Sequence, residues 1–301
     1  MMTDHRSYHE GELAVQARAG IGADGLGAQE MYRPAMAPGV QHFLAAQQMA
    51  AVGTLDKNGR PWASLRTGQP GFLRALDEHR LEVGGYSHPD DPLLANLETP
   101  GPVGVLAINL AARHRVRLNG EGQVDSAERM VVTLNQVYGN CPQYIQAREV
   151  RGEREAKRSK SRRAERLDDR LRAWVESADT FFLATAHPES GVDASHRGGK
   201  PGFVRVENEK RLLFPDYAGN NMFNSMGNIT SYPRAGLLIP DFKTGATLQI
   251  TGAANIIWEG PQLVEFRAAR RLVSVDIEKI VELSPGMALE FEFKGYSPYL
   301  R

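Results

Sequence analysis

Ser195, Arg197 and Lys200 fall within six residues around Gly198-Gly199, and Asp216-Tyr217-Ala218-Gly219-Asn220-Asn221 leads into a short helical stretch further on. Two cations, a hydroxyl and glycines that let backbone approach closely make a place for an anion. The free N–H groups of a helix start, with the Asn amides, would add donors to it. Other chemistry is poorly represented. There is no paired-Cys zinc spacing, no His-Glu metalloprotease helix and no Gly-rich loop ending in Lys-Ser or Lys-Thr. His5 and His9 precede Glu10 and Glu12 in a stretch without helical periodicity, so an exposed tail and no metal site are expected there. Cys141, the only cysteine, has no adjacent His or Lys to activate it and is expected to be a small buried hydrophobe.

The elements that position these residues come in two copies. Ala63 to Phe72 reads ASLRTGQPGF and Ala194 to Phe203 reads ASHRGGKPGF, identical at seven of ten positions. Gly53-Thr54 then faces Ala184-Thr185, Tyr86 faces Tyr217, Gly104-Val105-Leu106 faces Gly236-Leu237-Leu238, and Gly120 faces Gly252. A duplication that holds its spacing this far fixes the architecture before any element is assigned. In the first copy the anion-friendly positions become Ser64, Arg66, Gln69 and, before its helix, Asp90-Asp91. Two carboxylates there would repel a phosphate, so only the second copy is competent for an anion.

Short segments bounded by Gly, Pro and Asn predict strands at Ala51 to Leu55, Phe181 to Thr185, Ala235 to Ile239 and Thr247 to Ile257. Helices are expected at Gln41 to Ala50, Pro92 to Leu97, Ala127 to Val137, Leu167 to Val175 and Asn221 to Ile229. Many short strands with few helices predict a mainly β protein built from small antiparallel barrels. The expected domains are an extension (1–41), a first barrel with a following helix (42–147), a charged helical connector (148–172), and a second barrel with a C-terminal extension (173–301). The connector holds 11 Lys/Arg and 6 Asp/Glu in 25 residues. It is expected to be solvated, with an arm for an anionic partner as the other reading.

Across all 301 residues, 36 Lys+Arg balance 36 Asp+Glu, which removes the charge signature of a nucleic-acid or membrane-surface binder. The longest mainly apolar stretch, Val103 to Ala112, is too short to span a membrane. The acidic start lacks the pattern of a secretory signal, so a cytoplasmic protein is expected.

The blocks ASHRGGKPGFVRV, LLFPDYAGNNMFNSMGNI, RAGLLIPDF and LQITGAANI resemble the pyridoxamine 5'-phosphate oxidase-like, FMN-binding split-barrel family. HEGELAVQARAG and VYGNCPQYIQ resemble its longer subgroup with two such units. The resemblance implies two tandem six-stranded antiparallel split barrels, an intrachain pseudo-dimer that could also pair as a homodimer, and FMN at the junction. By the same resemblance, Lys200 and Arg205 match two basic residues of the early strands, and Pro215-Asp216 flanks the flavin ring. Asn220-Asn221 stands where the family has a basic pair on the phosphate, a departure that weakens the clamp and that Arg197 would offset.

The expected activity is that of a flavin-dependent oxidoreductase acting on a small molecule or a reduced nicotinamide, with Ser195, Arg197, Lys200, Asp216, Tyr217, Asn220 and Asn221 holding FMN. A deazaflavin would suit the same groups. The competing expectation is a non-catalytic carrier of flavin nucleotide or haem.

Overall fold

The computed structural model describes residues 8–21, 31–155 and 158–300. After α1 (Glu10–Arg18) and α2 (Pro38–Ala45), the first unit runs β1 (Met49–Leu55), β2 (Pro61–Thr67), β3 (Leu73–Ala75) and β4 (Arg80–Val83). It continues with α3 (Pro92–Asn96), β5 (Gly101–Asn109), β6 (His114–Val124) and β7 (Met130–Gly139). Between the units lie β8 (Ala147–Glu153), β9 (Lys160–Ala164) and α4 (Asp169–Ser177). The second unit repeats the series as β10 (Thr180–His187), β11 (Gly191–Gly198), β12 (Arg205–Asn208), β13 (Arg211–Asp216), α5 (Asn224–Ser231), β14 (Arg234–Pro240), β15 (Thr247–Ile257) and β16 (Arg271–Ser284). The short α6 (Pro261–Val264) precedes β16, and β17 (Leu289–Gly295) follows it.

The strand orders are β2-β1-β5-β6-β7-β4-β3 and β11-β10-β14-β15-β16-β13-β12, one permutation used twice. Each antiparallel path is six strands plus a short outer one, β3 or β12. Even the irregularities correspond, since register shifts fall between Asn119 and Gly120 and between Thr251 and Gly252. The chain is thus a tandem pair of split barrels.

Consecutive apolar residues in these strands have a physical cause, because both faces are covered. Ala50 and Val52 of β1 enter the core of the first barrel, while Met49 and Ala51 face a core shared by the two units. Phe181 and Leu183 of β10 likewise enter the second barrel, while Phe182 and Ala184 meet the shared core. The two barrels therefore pack within one chain through β1, β2 and β5 against β10, β11 and β14.

Three expectations change. Ala127 to Val137 is a turn and then β7, not a helix: the Asp125 carboxylate accepts from the amides of Ala127 (2.8 Å) and Arg129 (2.9 Å), closing a hairpin. The β-branched Val131, Val132, Thr133 and Val137 suit the strand that follows. The charged connector is not helical before α4, because β8 pairs β17 and β9 pairs β16. Its arginines meet carboxylates: Arg151 pairs Glu292, Arg162 pairs Asp168 at 2.8 Å, Arg166 pairs Glu209 at 3.2 Å and Arg170 pairs Glu282 at 2.5 Å.

The acidic start is not a tail from residue 9 onward. His9 caps α1 in a capping box with Glu12, and α1 packs on α5; His5 lies outside the described residues. Among the described residues no helix is long and apolar enough to cross a membrane.

Candidate functional site

A partly open cavity of about 90 Å³ lies where the two units meet. The second unit supplies His196 and Arg197 from β11, Pro215 and Asp216 from the end of β13, Tyr217, Asn220 and Asn221 from the loop, and Asn224 and Ser225 from the start of α5. The first unit supplies Arg115 and Arg117 from β6, with Cys141 and Tyr144 from the segment after β7. The rings of Tyr144 and Tyr217 lie 5.0 Å apart, joining the two sides, and the Tyr144 hydroxyl donates to the Ala218 carbonyl at 2.9 Å.

Three guanidiniums line this cavity, and a fourth, from Arg271, lies against them with two carboxylates. Arg117 pairs with Asp193 at 2.7 Å, and the Tyr138 hydroxyl donates to the same carboxylate at 2.9 Å. Arg197 pairs with Asp216 at 2.8 Å, and Arg271 holds the other oxygen of Asp216 at 2.9 Å. Among the described residues Arg115 has no carboxylate partner. It donates to the carbonyls of Cys141 (2.9 Å) and His196 (3.4 Å) while only 6% exposed. Burial, and then the Arg117 charge, pull its pKa down from 12.5 to about 10. The Nε atoms of Arg115, Arg117 and Arg197 and both ring nitrogens of His196 have no hydrogen-bond partner. Burial, followed by Arg115 and Arg197, pushes the His196 pKa well below its usual value, so the imidazole is neutral.

The start of α5 adds to this surplus. Its N-cap, Phe223, sits in the left-handed region (φ 59°) and offers no side-chain cap. Such a conformation is costly for a bulky residue. It is held by Arg271, whose guanidinium lies 4.7 Å from the Phe223 ring and stacks on Trp258 as well, at 4.8 Å. An uncapped helix start, with unsatisfied N–H groups and the positive end of the dipole, favours an anion in front of it.

The structure brings Arg197, Pro215, Asp216, Tyr217, Asn220 and Asn221 into this cavity. Ser195 lies beneath it, its hydroxyl 3.0 Å from that of Ser225. Lys200 and Arg205 are not in the lining. After Gly198 the chain turns away, leaving Lys200 exposed, and Arg205 pairs with Glu265 and stacks on Phe266 at 5.0 Å. Arg115, Arg117, Tyr144 and His196 were not singled out from sequence. Cys141 is half-buried in the lining, 4.0 Å from an Arg115 nitrogen, and not a packed hydrophobe. The signal for the arginines is the alternation Arg115-Val116-Arg117-Leu118-Asn119, a strand whose polar face has to find partners.

His9, Glu10 and His187 also converge, with ligand atoms within 4.8 Å of one another. Both Nδ1 atoms accept backbone amides, from Gly11 and from Glu189 and Ser190. That leaves each Nε2 carrying the proton, directed at Asn228 (2.9 Å) and Glu10 (2.9 Å).

Residues 167–296 match the family model for pyridoxamine 5'-phosphate oxidase. The second unit is a member of that family. No curated protein matches the chain at a significant level. Among solved structures, HupZ of Group A Streptococcus is similar at 11% identity over 38% of this chain and 91% of its own, with a TM-score of 0.33. A putative pyridoxamine 5'-phosphate oxidase of Lactobacillus delbrueckii is similar at 13% identity over 39% and 94%, TM-score 0.33. An F420 reductase is similar at 13% over 38% and 98%, TM-score 0.30.

The donor set, drawn from both units, suits a phosphate-bearing ligand. Among the described residues, guanidinium N–H groups without partners line the cavity, and its arginines outnumber its carboxylates.

Proposed function

We propose that this chain is an FMN-binding flavoprotein that acts as an oxidoreductase on a small molecule. The observation that carries the reading is Arg115, a buried guanidinium that has no carboxylate partner among the described residues and faces Arg197 and the uncapped start of α5 across one cavity. A buried charge of this kind is costly until a counter-ion arrives, and a phosphate monoester is a dianion of suitable size. Arg115, Arg197, the Asn220-Asn221 amides and the first N–H groups of α5 would hold the phosphate. Asp216 would fix Arg197 in place, since Arg271 holds its other oxygen. Tyr144 and Tyr217 would cover the planar end and exclude water from it. FMN, when bound, supplies hydride or single-electron transfer, and the protein's part is to bind, orient and shield it.

The test is the absorbance spectrum of the purified full-length chain, followed under NADH and NADPH without oxygen. A flavin spectrum that bleaches supports the oxidoreductase. A flavin spectrum inert to both would mark a carrier, and a haem band would overturn the reading.

A further inference from the structure

His196 is 5% exposed, lines the cavity, and has no partner for either ring nitrogen. Buried polar groups are almost always paired, so an orphaned imidazole in a cavity wall marks a place where something else completes the bonding. The charges that act on it most are cationic. Arg115 and Arg117 face it from β6, Arg148 from β8 and Arg197 from its own strand. Phe182 of β10 packs against the ring edge-on at 5.8 Å, and Cys141 lies beyond Arg115.

The nearby carboxylates are engaged elsewhere: Asp179 on Arg148 (2.6 Å), Asp193 on Arg117 (2.7 Å) and Asp216 on Arg197 (2.8 Å). Among the described residues no carboxylate pairs with the imidazole. A dianion drawn to Arg115 and Arg197 would reverse that, because an opposite charge within about 4–6 Å favours the protonated form.

We propose that His196 is a ligand-gated proton acceptor: neutral while the cavity holds no anion, protonated once a phosphate monoester binds beside Arg115 and Arg197. The proton comes from solvent, so the ligand enters together with one proton and the imidazolium becomes a further donor to it. This rests on the flavin-nucleotide reading above and adds a coupling that reading does not require.

The experiment is nitrogen NMR of the full chain labelled at histidine, at a pH about 1.5 units above the second phosphate pKa of about 6, so that the ligand is already a dianion. Spectra are taken without ligand, with FMN and with inorganic phosphate. The resonance that disappears in His196→Gln identifies the ring. The expected result is a neutral pattern alone and a doubly protonated pattern at saturation. In parallel, FMN affinity of the wild type should fall with rising pH toward a limit of tenfold per unit, a slope that His196→Gln abolishes. FMN saturating the site while the imidazole stays neutral would overturn this inference and leave the flavin reading standing. Failure of both probes to bind would remove both. The wild-type slope alone decides the matter if the variant does not fold.

Discussion

The Ser64 hydroxyl donates to the Asp91 carboxylate at 2.5 Å, where the second unit sets Ser195 against the Ser225 hydroxyl at 3.0 Å. Asp91 also accepts the Leu93 amide at the start of α3 (3.0 Å) and the Gln249 side chain from β15 (3.3 Å). The first unit thus carries its own carboxyl group where the second leaves a helix start open; burial pushes the Asp91 pKa up, while Arg66, fully buried close by, acts the other way. A phosphate there would face that carboxylate at a cost of about 4 kcal/mol for a like charge at ~4 Å and an effective dielectric near 20. One FMN per chain is therefore expected. Fluorescence-quenching titration of the apo-protein measures the stoichiometry, and two per chain would contradict the self-plugged first site.

Arg115→Gln should weaken FMN binding although the residue belongs to the unit that binds no flavin of its own. Losing one partner of a desolvated charge pair costs about 2 to 5 kcal/mol, or ~30-fold to a few thousandfold in Kd. Lys200→Ala, a substitution at an exposed turn outside the cavity, should change Kd by no more than about twofold. Equal losses in both variants would move the phosphate toward Lys200.

The duplication was legible because turn residues and glycines recur at one spacing, and the structure shows the same strand permutation in both sheets. The loop half of the cavity was legible too, since Asp216, Tyr217, Asn220 and Asn221 drew attention as polar residues before a helix, and they line it. The other half was hidden for a physical reason: Arg115 and Arg117 lie in the copy that reads as degenerate. Their partners lie well along the chain: Asp193 is 76 positions from Arg117, and the Cys141 and His196 carbonyls are 26 and 81 positions from Arg115. His196 was hidden because its neighbour Arg197 drew the attention, and burial is not visible in a motif. The β8 and β9 segments misled because charge-dense sequence suits a solvated helix and a paired edge strand equally well until the partner strands are known.

The seam between the barrels depends on two glycines in equivalent places. A Cβ on Gly104 of β5 would come within 2.7 Å of the Ala194 amide nitrogen and the Val192 carbonyl oxygen of β11. A Cβ on Gly236 of β14 would meet the Pro61 carbonyl and, at 2.9 Å, the Trp62 Cα of β2. Backbone cannot yield as a side-chain tip can, so Gly236→Val should cost at least the ~1–3 kcal/mol typical of overpacking. Because the cavity spans the seam, flavin affinity should fall along with Tm. Thermal unfolding followed with and without FMN checks both, and an unchanged Tm would mean that the units do not pack through β2 and β14.

His9 and Glu12 give the stability a pH dependence that each conceals in the other. Burial, with the His187 charge next, holds the His9 pKa down at about 4 from 6.5. Burial raises Glu12 from 4.5 to about 7 despite the bonds it accepts from the His9 amide and Asn224. The folded state keeps Glu12 protonated, so its share of stability is present below pH 4.5 and is lost as pH rises to 7. His9 is kept neutral, so its share is present above pH 6.5 and is lost as pH falls to 4. Each shift of about 2.5 units corresponds to roughly 3 kcal/mol, of opposite slope, and in the wild type the two nearly cancel. Glu12→Gln should therefore gain about 3 kcal/mol in stability relative to wild type between pH 4.5 and 7. His9→Asn, which keeps a side chain able to cap α1, should show the reverse between pH 6.5 and 4. Urea unfolding across that range, taken as differences from wild type so that other carboxylates drop out, checks the signs. Parallel curves for all three proteins would show that neither group changes its proton affinity on folding.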